Sequence, residues 1–589
     1  MIKLLRYLRR KETIMAVLCI LLVLGQVYFD LLLPDFMSDL TMLINTPGSE
    51  MADIWSTGLQ MLCCTLAGTF LCILSGYLAA RVAAGFSHAV RSKLFGHVLN
   101  FGKQEMQQFS VPSLVNRTTN DISQIQMFVS MGLTVLVRAP VMAIWAVCKI
   151  LGKSWELSVV TAVVAIFLIT ASIIIVLIAL PRFKLVQKLN DQINRVTREN
   201  LTGINVVHAF NAEDYQNEKF EGPNHQMMKT QMKNQRLFAI LMPMMGLGMN
   251  GLSLCIYWLG ALLLNNIPLT NFPGRLTMFS DIVVFSTYAG FVILSFMLLI
   301  MVFVMFPGAQ VSAGRINEVL NTHANIKEGD KTQGSETGTV EFRNVSFSYP
   351  GTSEKQLSNI SFKVNKGETI AFIGATGSGK TTLVSLIARL YDATAGTVLI
   401  DGVNVKKYTF DSLYNRIGFI TQKAILFSGS INDNIRFGES TTAFTDDVVD
   451  EALDIAQATE FVQKQKLGKD HHIAQGGKNV SGGQKQRLSI ARALARHPEI
   501  LVFDDSFSAL DYRTDAALRA ALAENLEGTT CVIVAQRIST IRNADKIVVL
   551  EGGKAVGIGT HQELMASCDV YREIAMSQLS EDELADKEV

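Results

Sequence analysis

Ile370-Ala371-Phe372-Ile373-Gly374-Ala375-Thr376-Gly377-Ser378-Gly379-Lys380-Thr381-Thr382 is an apolar run that passes directly into the pattern G-x-x-x-x-G-K-[ST]. The run reads as a buried strand and the pattern as a phosphate cradle. Glycines let the chain curl until successive N–H groups face a β-phosphate. Lys380 supplies a point charge to the β/γ oxygens, and the Thr381 hydroxyl, with Thr382 beside it, is placed for Mg2+. The implied ligand is a nucleoside triphosphate, and the implied fold around it is a parallel sheet with helices on its faces.

The chain has 589 residues, too many for one core. Charged residues make up 18% of it, against about 25% in ordinary globular chains, and its mean hydropathy is +0.28. Much of its surface must therefore meet something other than water. A net charge of +1 offers no basic domain for a nucleic acid. The eight cysteines, Cys19, Cys63, Cys64, Cys72, Cys148, Cys255, Cys531 and Cys568, include no C-x-x-C pair and read as small apolar residues.

Apolar stretches of spanning length lie at 14–37, 57–80, 127–148, 157–181, 237–264 and 282–306, each near the ~20 residues that a bilayer core requires. Six is even, so both ends of the region face one side. The long segments between spans two and three and between four and five are rich in Lys and Arg, including Arg81, Arg91, Lys103, Arg182, Arg195 and Lys229. The first outer loop has neither, which puts the long segments and both termini on the cytoplasmic side. Lys3, Arg6, Arg9, Arg10 and Lys11 precede an apolar run that is too long for a secretory signal and contains Gln26 and Asp30. Within the internal segments, Ile193, Val196, Leu201, Ile204 and Val207 keep helical spacing, so the helices are expected to run on past the membrane. Arg138 falls inside the third span. An ionisable group there is a substrate-site candidate, although snorkelling or a bond to a carbonyl explains it more simply. Met242, Met244, Met245, Met249, Met297, Met301 and Met305 crowd the last two spans, as helix packing or an adaptable pathway would require.

The expected division is a transmembrane domain at 1–320, a polar linker at 321–339, a second domain at 340–579 and an acidic tail at 580–589. The second domain opens with alternating Val340, Phe342, Val345 and Phe347, as half-buried antiparallel strands do, and carries two further apolar runs at Ile500–Phe503 and Cys531–Ala535.

Further motifs follow in order. Tyr349 is an aromatic suited to stacking on a purine, and Gln422 follows an apolar run from Ile417. Val480-Ser481-Gly482-Gly483-Gln484-Lys485-Gln486-Arg487 precedes Asp504, and Ser508-Ala509-Leu510-Asp511 comes after it. With six preceding spans, this order resembles an ABC transporter half of the exporter type, over nearly the whole chain. The resemblance implies an all-α six-helix membrane domain followed by an α/β P-loop ATPase domain. It also implies ATP and Mg2+ as ligands, with Thr381, Gln422 and Asp504 around the metal, and a second half-transporter as partner. ATP would lie between the phosphate loop of one half and Ser481, Gly482, Gly483 and Gln484 of the other, since amides opening a helix suit a phosphate. Coupling helices are expected around Val115–Ile122 and Asn211–Gln216.

Two departures from that pattern bear on mechanism. Asp505 stands where the family usually has a glutamate that polarises the attacking water, and Gln536 where it has a histidine that meets the γ-phosphate. Aspartate is shorter by one methylene, about 1.5 Å, in a role whose reach is about 2.6–3.2 Å. Glutamine donates a hydrogen bond but takes up no proton near neutral pH. Slow hydrolysis at this chain's own loop is expected. The signature looks intact apart from Val480 for leucine, so it could complete an active site on a different partner chain. A homodimer in which Asp505 suffices is the alternative. Gln475 also stands where the family often has glutamate, and His471-His472 reads as part of a solvated loop. The expected function is export of hydrophobic or amphipathic compounds across a bacterial plasma membrane. Lipid flipping, or uptake by the same architecture, competes with it, because fold does not set cargo.

Overall fold

A computed structural model describes residues 2–46, 48–151, 153–440 and 443–579; the acidic tail read at 580–589 lies outside them. The chain divides into two compact units. One runs from the N-terminus to Leu99 and resumes at Val111–Thr322, and the other comprises Asn100–Ser110 and everything from His323.

The first unit contains six helices long and apolar enough to cross a membrane: α1 (Arg10–Asn45), α2 (Met51–Leu99), α3 (Val111–Leu151), α4 (Trp155–Thr202), α5 (Glu213–Asn265) and α6 (Phe272–Asn321). At 1.5 Å per residue, the 53 residues of α5 extend about 80 Å, far beyond the ~30 Å of a bilayer core. The helices do continue past the membrane. Their outward apolar side chains, such as Trp55, Phe70, Ile166 and Trp258, are widely exposed, as a lipid-facing surface must be. Between helices, Val27, Leu31, Met142, Leu168, Ile256, Phe285 and Tyr288 form a buried core. Two π-helical turns, Arg117–Asp121 and Gly132–Leu136, interrupt α3.

Arg138, Lys149 and Lys153 are each paired with an acid. Arg138 Nη2 lies 2.9 Å from Asp30 Oδ2, so its partner is an acid of α1 rather than a carbonyl. Lys149 meets Asp35 and Lys153 meets Asp281, each at 2.5 Å. The buried Tyr288 hydroxyl donates to Asp35 Oδ1 at 2.7 Å. Truncating one member of a pair strands the other, whereas replacing both with apolar groups often restores stability. Arg138→Leu should therefore lower the thermal unfolding midpoint in detergent, at a cost of about 2–3 kcal/mol. This is less than a fully buried pair would lose, because both side chains stay 27–30% exposed. Asp30→Leu added to Arg138→Leu should recover most of the loss, and failure to recover it would show that the pair is not the source.

In the second unit, the strands are β1 (Val340–Phe347), β2 (Leu357–Val364), β3 (Thr369–Ile373), β4 (Ala395–Ile400), β5 (Val403–Asn404) and β6 (Ile417–Ile420). They continue as β7 (Gly429–Ser430), β8 (His472–Ile473), β9 (Ile500–Asp504), β10 (Thr530–Val534), β11 (Lys546–Glu551) and β12 (Lys554–Gly559). One sheet, β2-β1-β4-β5, is antiparallel; the other runs β12-β11-β3-β10-β9-β6 and is parallel except at β12. Val534 pairs with both Phe372 and Asp504, so the carboxyl ends of β3, β10 and β9 finish level. Ligands of such sheets bind beyond those ends. β3 and β9 are buried on both faces and read as unbroken apolar runs, which is why sequence located them.

The two stretches marked by the resemblance as coupling helices take different forms. Val115–Ile122 lies within the continuous α3, and the short helix Lys103–Gln108 is the piece of the first internal segment that belongs to the second unit. Glu105, 2% exposed, holds it by accepting from the amides of Gly102 and Asn325. Asn211–Gln216 straddles a break at Phe210–Ala212, where Asn211 has φ +49°, and runs on into α5. Of the polar stretch 321–339, the part from His323 on belongs to the second unit: Lys327 O accepts from Arg389 and Gly329 N donates to Tyr408 O.

Candidate functional site

The turn after β3 is built from backbone that only glycine adopts readily. Gly374, Gly377 and Gly379 have φ of +153°, +85° and +100°. The chain then enters α7 (Lys380–Ile387). Lys380 Nζ folds over the loop it follows and donates to Gly374 O at 2.7 Å and Ala375 O at 2.9 Å. Burial pushes its ammonium pKa down, and Asp505 and Asp504 pull it back up. An ammonium folded over the loop is a cation suited to an oxyanion.

Thr381 Oγ1 donates to Asp504 Oδ1 at 2.8 Å. Neighbouring ligands of an octahedral cation with bonds of 2.0–2.1 Å are about 2.9 Å apart, so these two oxygens already have the spacing of one coordination shell. Burial raises the Asp504 carboxyl, and the Thr381 hydroxyl and the charge of Lys103 oppose the rise. A divalent cation would favour the ionised form further.

Asp505 is 6% exposed and sits at φ +51°, a conformation uncommon for a side-chain-bearing residue. Its Oδ2 accepts from Gln536 Nε2 at 2.7 Å and from Gln422 Nε2 at 3.0 Å. Both lone pairs of one carboxylate oxygen are thus engaged by amides. A cavity of about 210 Å3 opens beside them, lined by Thr376, Gly377, Gly379, Lys380, Thr381, Thr382, Gln422, Asp505 and Gln536. Residues from four strand ends converge here, as the motif order implied. Sequence reading missed Gln356, which lines the same cavity and donates to Gly377 O at 3.1 Å. It belongs to no motif, and only the position of β2 brings it in.

Tyr349 stands outside that cavity. Its ring meets Phe347 and Tyr391 edge-on, and its hydroxyl lies 2.7 Å from Thr382 Oγ1. The Ser481–Gln484 group is likewise separate. Ser481 caps α8 (Gly482–Leu494) in a reciprocal capping box with Gln484, and none of the four residues lines the phosphate-loop cavity. Within one chain, therefore, the two expected halves of a nucleotide site do not meet.

Comparison with known proteins agrees with this architecture. The family model for the ABC transporter transmembrane region matches residues 13–293, and that for ABC transporter matches 357–508. An uncharacterised ABC transporter ATP-binding protein of Mycobacterium tuberculosis is 39% identical over 89% of this chain and 87% of its own length. The ATP-dependent lipid A-core flippase of Pseudomonas fluorescens is 31% identical over 85% and 81%. The solved structure of a bacterial Atm1-family ABC exporter with ATP bound superposes with a TM-score of 0.81 at 22% identity, covering 97% of this chain and all of that one. Six apolar helices followed by a phosphate loop, a paired acidic strand end and a separate signature helix place this chain in the ABC transporter family, as an exporter-type half-transporter with its membrane domain fused to its ATPase domain.

Proposed function

We propose that this chain is one half of a heterodimeric exporter of hydrophobic or amphipathic compounds, and that its own ATP site is the slow one of the pair. The observation that carries the reading is the Asp505 carboxylate, one methylene short and with both lone pairs of Oδ2 taken by Gln422 and Gln536. That leaves Oδ1 as the oxygen to take a proton from water, on a side chain whose shorter reach and two amide bonds keep it from closing the distance. The ordered signature helix supports the complementary role, in which Ser481 and the Gly482 and Gly483 amides complete a site whose glutamate and histidine come from the partner. At this chain's own site, the loop amides and Lys380 hold the phosphates, Thr381 and Asp504 with Gln422 hold the cation, and Tyr349 faces the purine. When bound, Mg2+ neutralises charge on the β/γ oxygens. Closure of the two ATPase domains on ATP favours an outward-open membrane domain, and hydrolysis at the partner's site resets it. The setting is a bacterial plasma membrane, with both termini cytoplasmic as the positive internal segments require.

Affinity purification of the tagged chain from native membranes tests the pairing. A stoichiometric second half-transporter with Glu and His at the matching positions is the expected outcome. Recovery of this chain alone, with brisk ATPase that Asp505→Ala abolishes, would establish the homodimer instead. A second reading, lipid movement, is favoured by the relatives whose described activity is lipid A-core flipping. Liposomes without added drug decide between the cargoes: ATP-dependent lipid flipping there would displace the drug-export reading.

A further inference from the structure

The loop that carries Gln536 is held by a residue that belongs to no motif. Gln578, in the last turn of α9 (Asp569–Gln578), donates through Nε2 to Gln536 O at 2.9 Å. Its Oε1 accepts from Ile538 N at 2.9 Å. One side-chain amide bonded to a carbonyl and to an N–H two residues on reproduces the pairing of a neighbouring strand. It thereby clamps the backbone on both sides of Arg537. Beyond that clamp, the Gln536 side chain reaches Asp505 Oδ2. A cavity of about 600 Å3, lined by Gly374–Ser378, Gln536, Glu573, Ser577 and Gln578, lies on this side of the phosphate loop. Ile538, fully buried, shares a core with Tyr571 and Ala575 of α9, and the two amide bonds tie down the residues before it, which border the cavity. The helix is itself fixed, because Tyr571 and Ala575 are fully buried and the Tyr571 hydroxyl lies 2.7 Å from His561 Nδ1. Gln578 is exposed and adds nothing to the core.

We infer that Gln578 is a positioning residue for the 536–538 loop, holding the Gln536 amide on Asp505 and so setting how long nucleotide stays at this site. The inference rests on ATP binding at the phosphate loop and holds for a homodimer or a heterodimer alike. Its test uses the full chain in its purified assembly, in nanodiscs. In nucleotide-free protein, Gln578→Ala should speed amide exchange across 536–541 about three- to tenfold, as loss of a modest hydrogen bond does, with the thermal midpoint unchanged. Release of mant-ATP with Mg2+ should quicken by about the same factor. In a Gln536→Ala background, the same substitution should change release less than about twofold, because residues acting through one another are not additive. Gln578→Glu keeps the acceptor for Ile538 N–H and removes the donor to Gln536 O. It should quicken release while leaving the Ile538 amide protected. Equal effects of Gln578→Ala with and without Gln536, or unchanged exchange in the loop, would overturn the inference.

Discussion

Asp505→Glu combined with Gln536→His should raise the ATPase rate of the chain purified alone about 100-fold, within the 10²–10⁴ that a positioned general base supplies. The argument is geometric. In the wild-type chain, Oδ2 of Asp505 is shared by the amides of Gln536 and Gln422 at 2.7 and 3.0 Å. The extra methylene moves the carboxylate about 1.5 Å towards the phosphate-loop cavity, and the His substitution replaces an amide fixed as a donor with a ring that can titrate. Each single change should give much less than the pair, because Asp505→Glu alone meets Gln536 in the space the longer side chain must enter. The Lys380→Met version of the double variant is the control and should return the rate to background. An unaltered rate, with nucleotide still bound, would mean that this site is slow for a reason other than Asp505 and Gln536. If the chain does not dimerise alone, the same comparison is made in the assembly with the partner's glutamate changed to glutamine.

What could be read in the sequence follows from which features are contiguous. The six spans, the phosphate loop with its strand and the signature are unbroken runs, eight residues for the signature and thirteen or more for the others, with a single local cause for each feature. Their type and order could be read directly, and the family with them. Features made by long-range closure could not. Asp30 and Arg138 are 108 positions apart in sequence, and sequence exposes the arginine without naming its acid. Asn100–Ser110 belongs with the ATPase unit, where Glu105 accepts from Asn325 N, 220 positions away. Val115–Ile122, which the resemblance marked as a coupling stretch, lies within α3 and carries a π-helical turn that nothing in its local sequence announces. Gln356, half-buried, and Gln578, exposed, are glutamines in unremarkable contexts, and only the strand and helix beside them bring them to the site. The departures at Asp505 and Gln536 were visible because they break a pattern. Their mutual contact through one oxygen was not, because nothing in the sequence says that two glutamines 114 positions apart, at Gln422 and Gln536, converge on it.

Gly374→Ala should lower affinity for Mg2+-ATP at least about 100-fold, a loss of ~2.7 kcal/mol, whereas Gly377→Ala should cost only about tenfold, the ~1–2 kcal/mol of a side chain in left-handed backbone. Both glycines have positive φ, so conformational strain alone would treat them alike. Space separates them. A Cβ on Gly374 would lie 2.1 Å from Leu550 O and 2.9 Å from Ser378 Oγ, and one on Gly377 meets nothing within 4 Å. Leu550 cannot yield, because its strand β11 is paired to β3 through Val549 and Ile373, the residue before the glycine. The loop must move instead, and with it Gly374 O, which together with Ala375 O holds the Lys380 ammonium in place. Loop amides and lysine, the groups proposed to hold the phosphates, would then be displaced together. Equilibrium titration of the full-length protein with mant-ATP measures both variants, with circular dichroism to verify that each is folded. Equal losses for the two would show that the tight turn against β11 does not set the shape of the phosphate loop. A far larger loss at Gly374 would show that β11, a strand without any motif residue, determines where the phosphates lie.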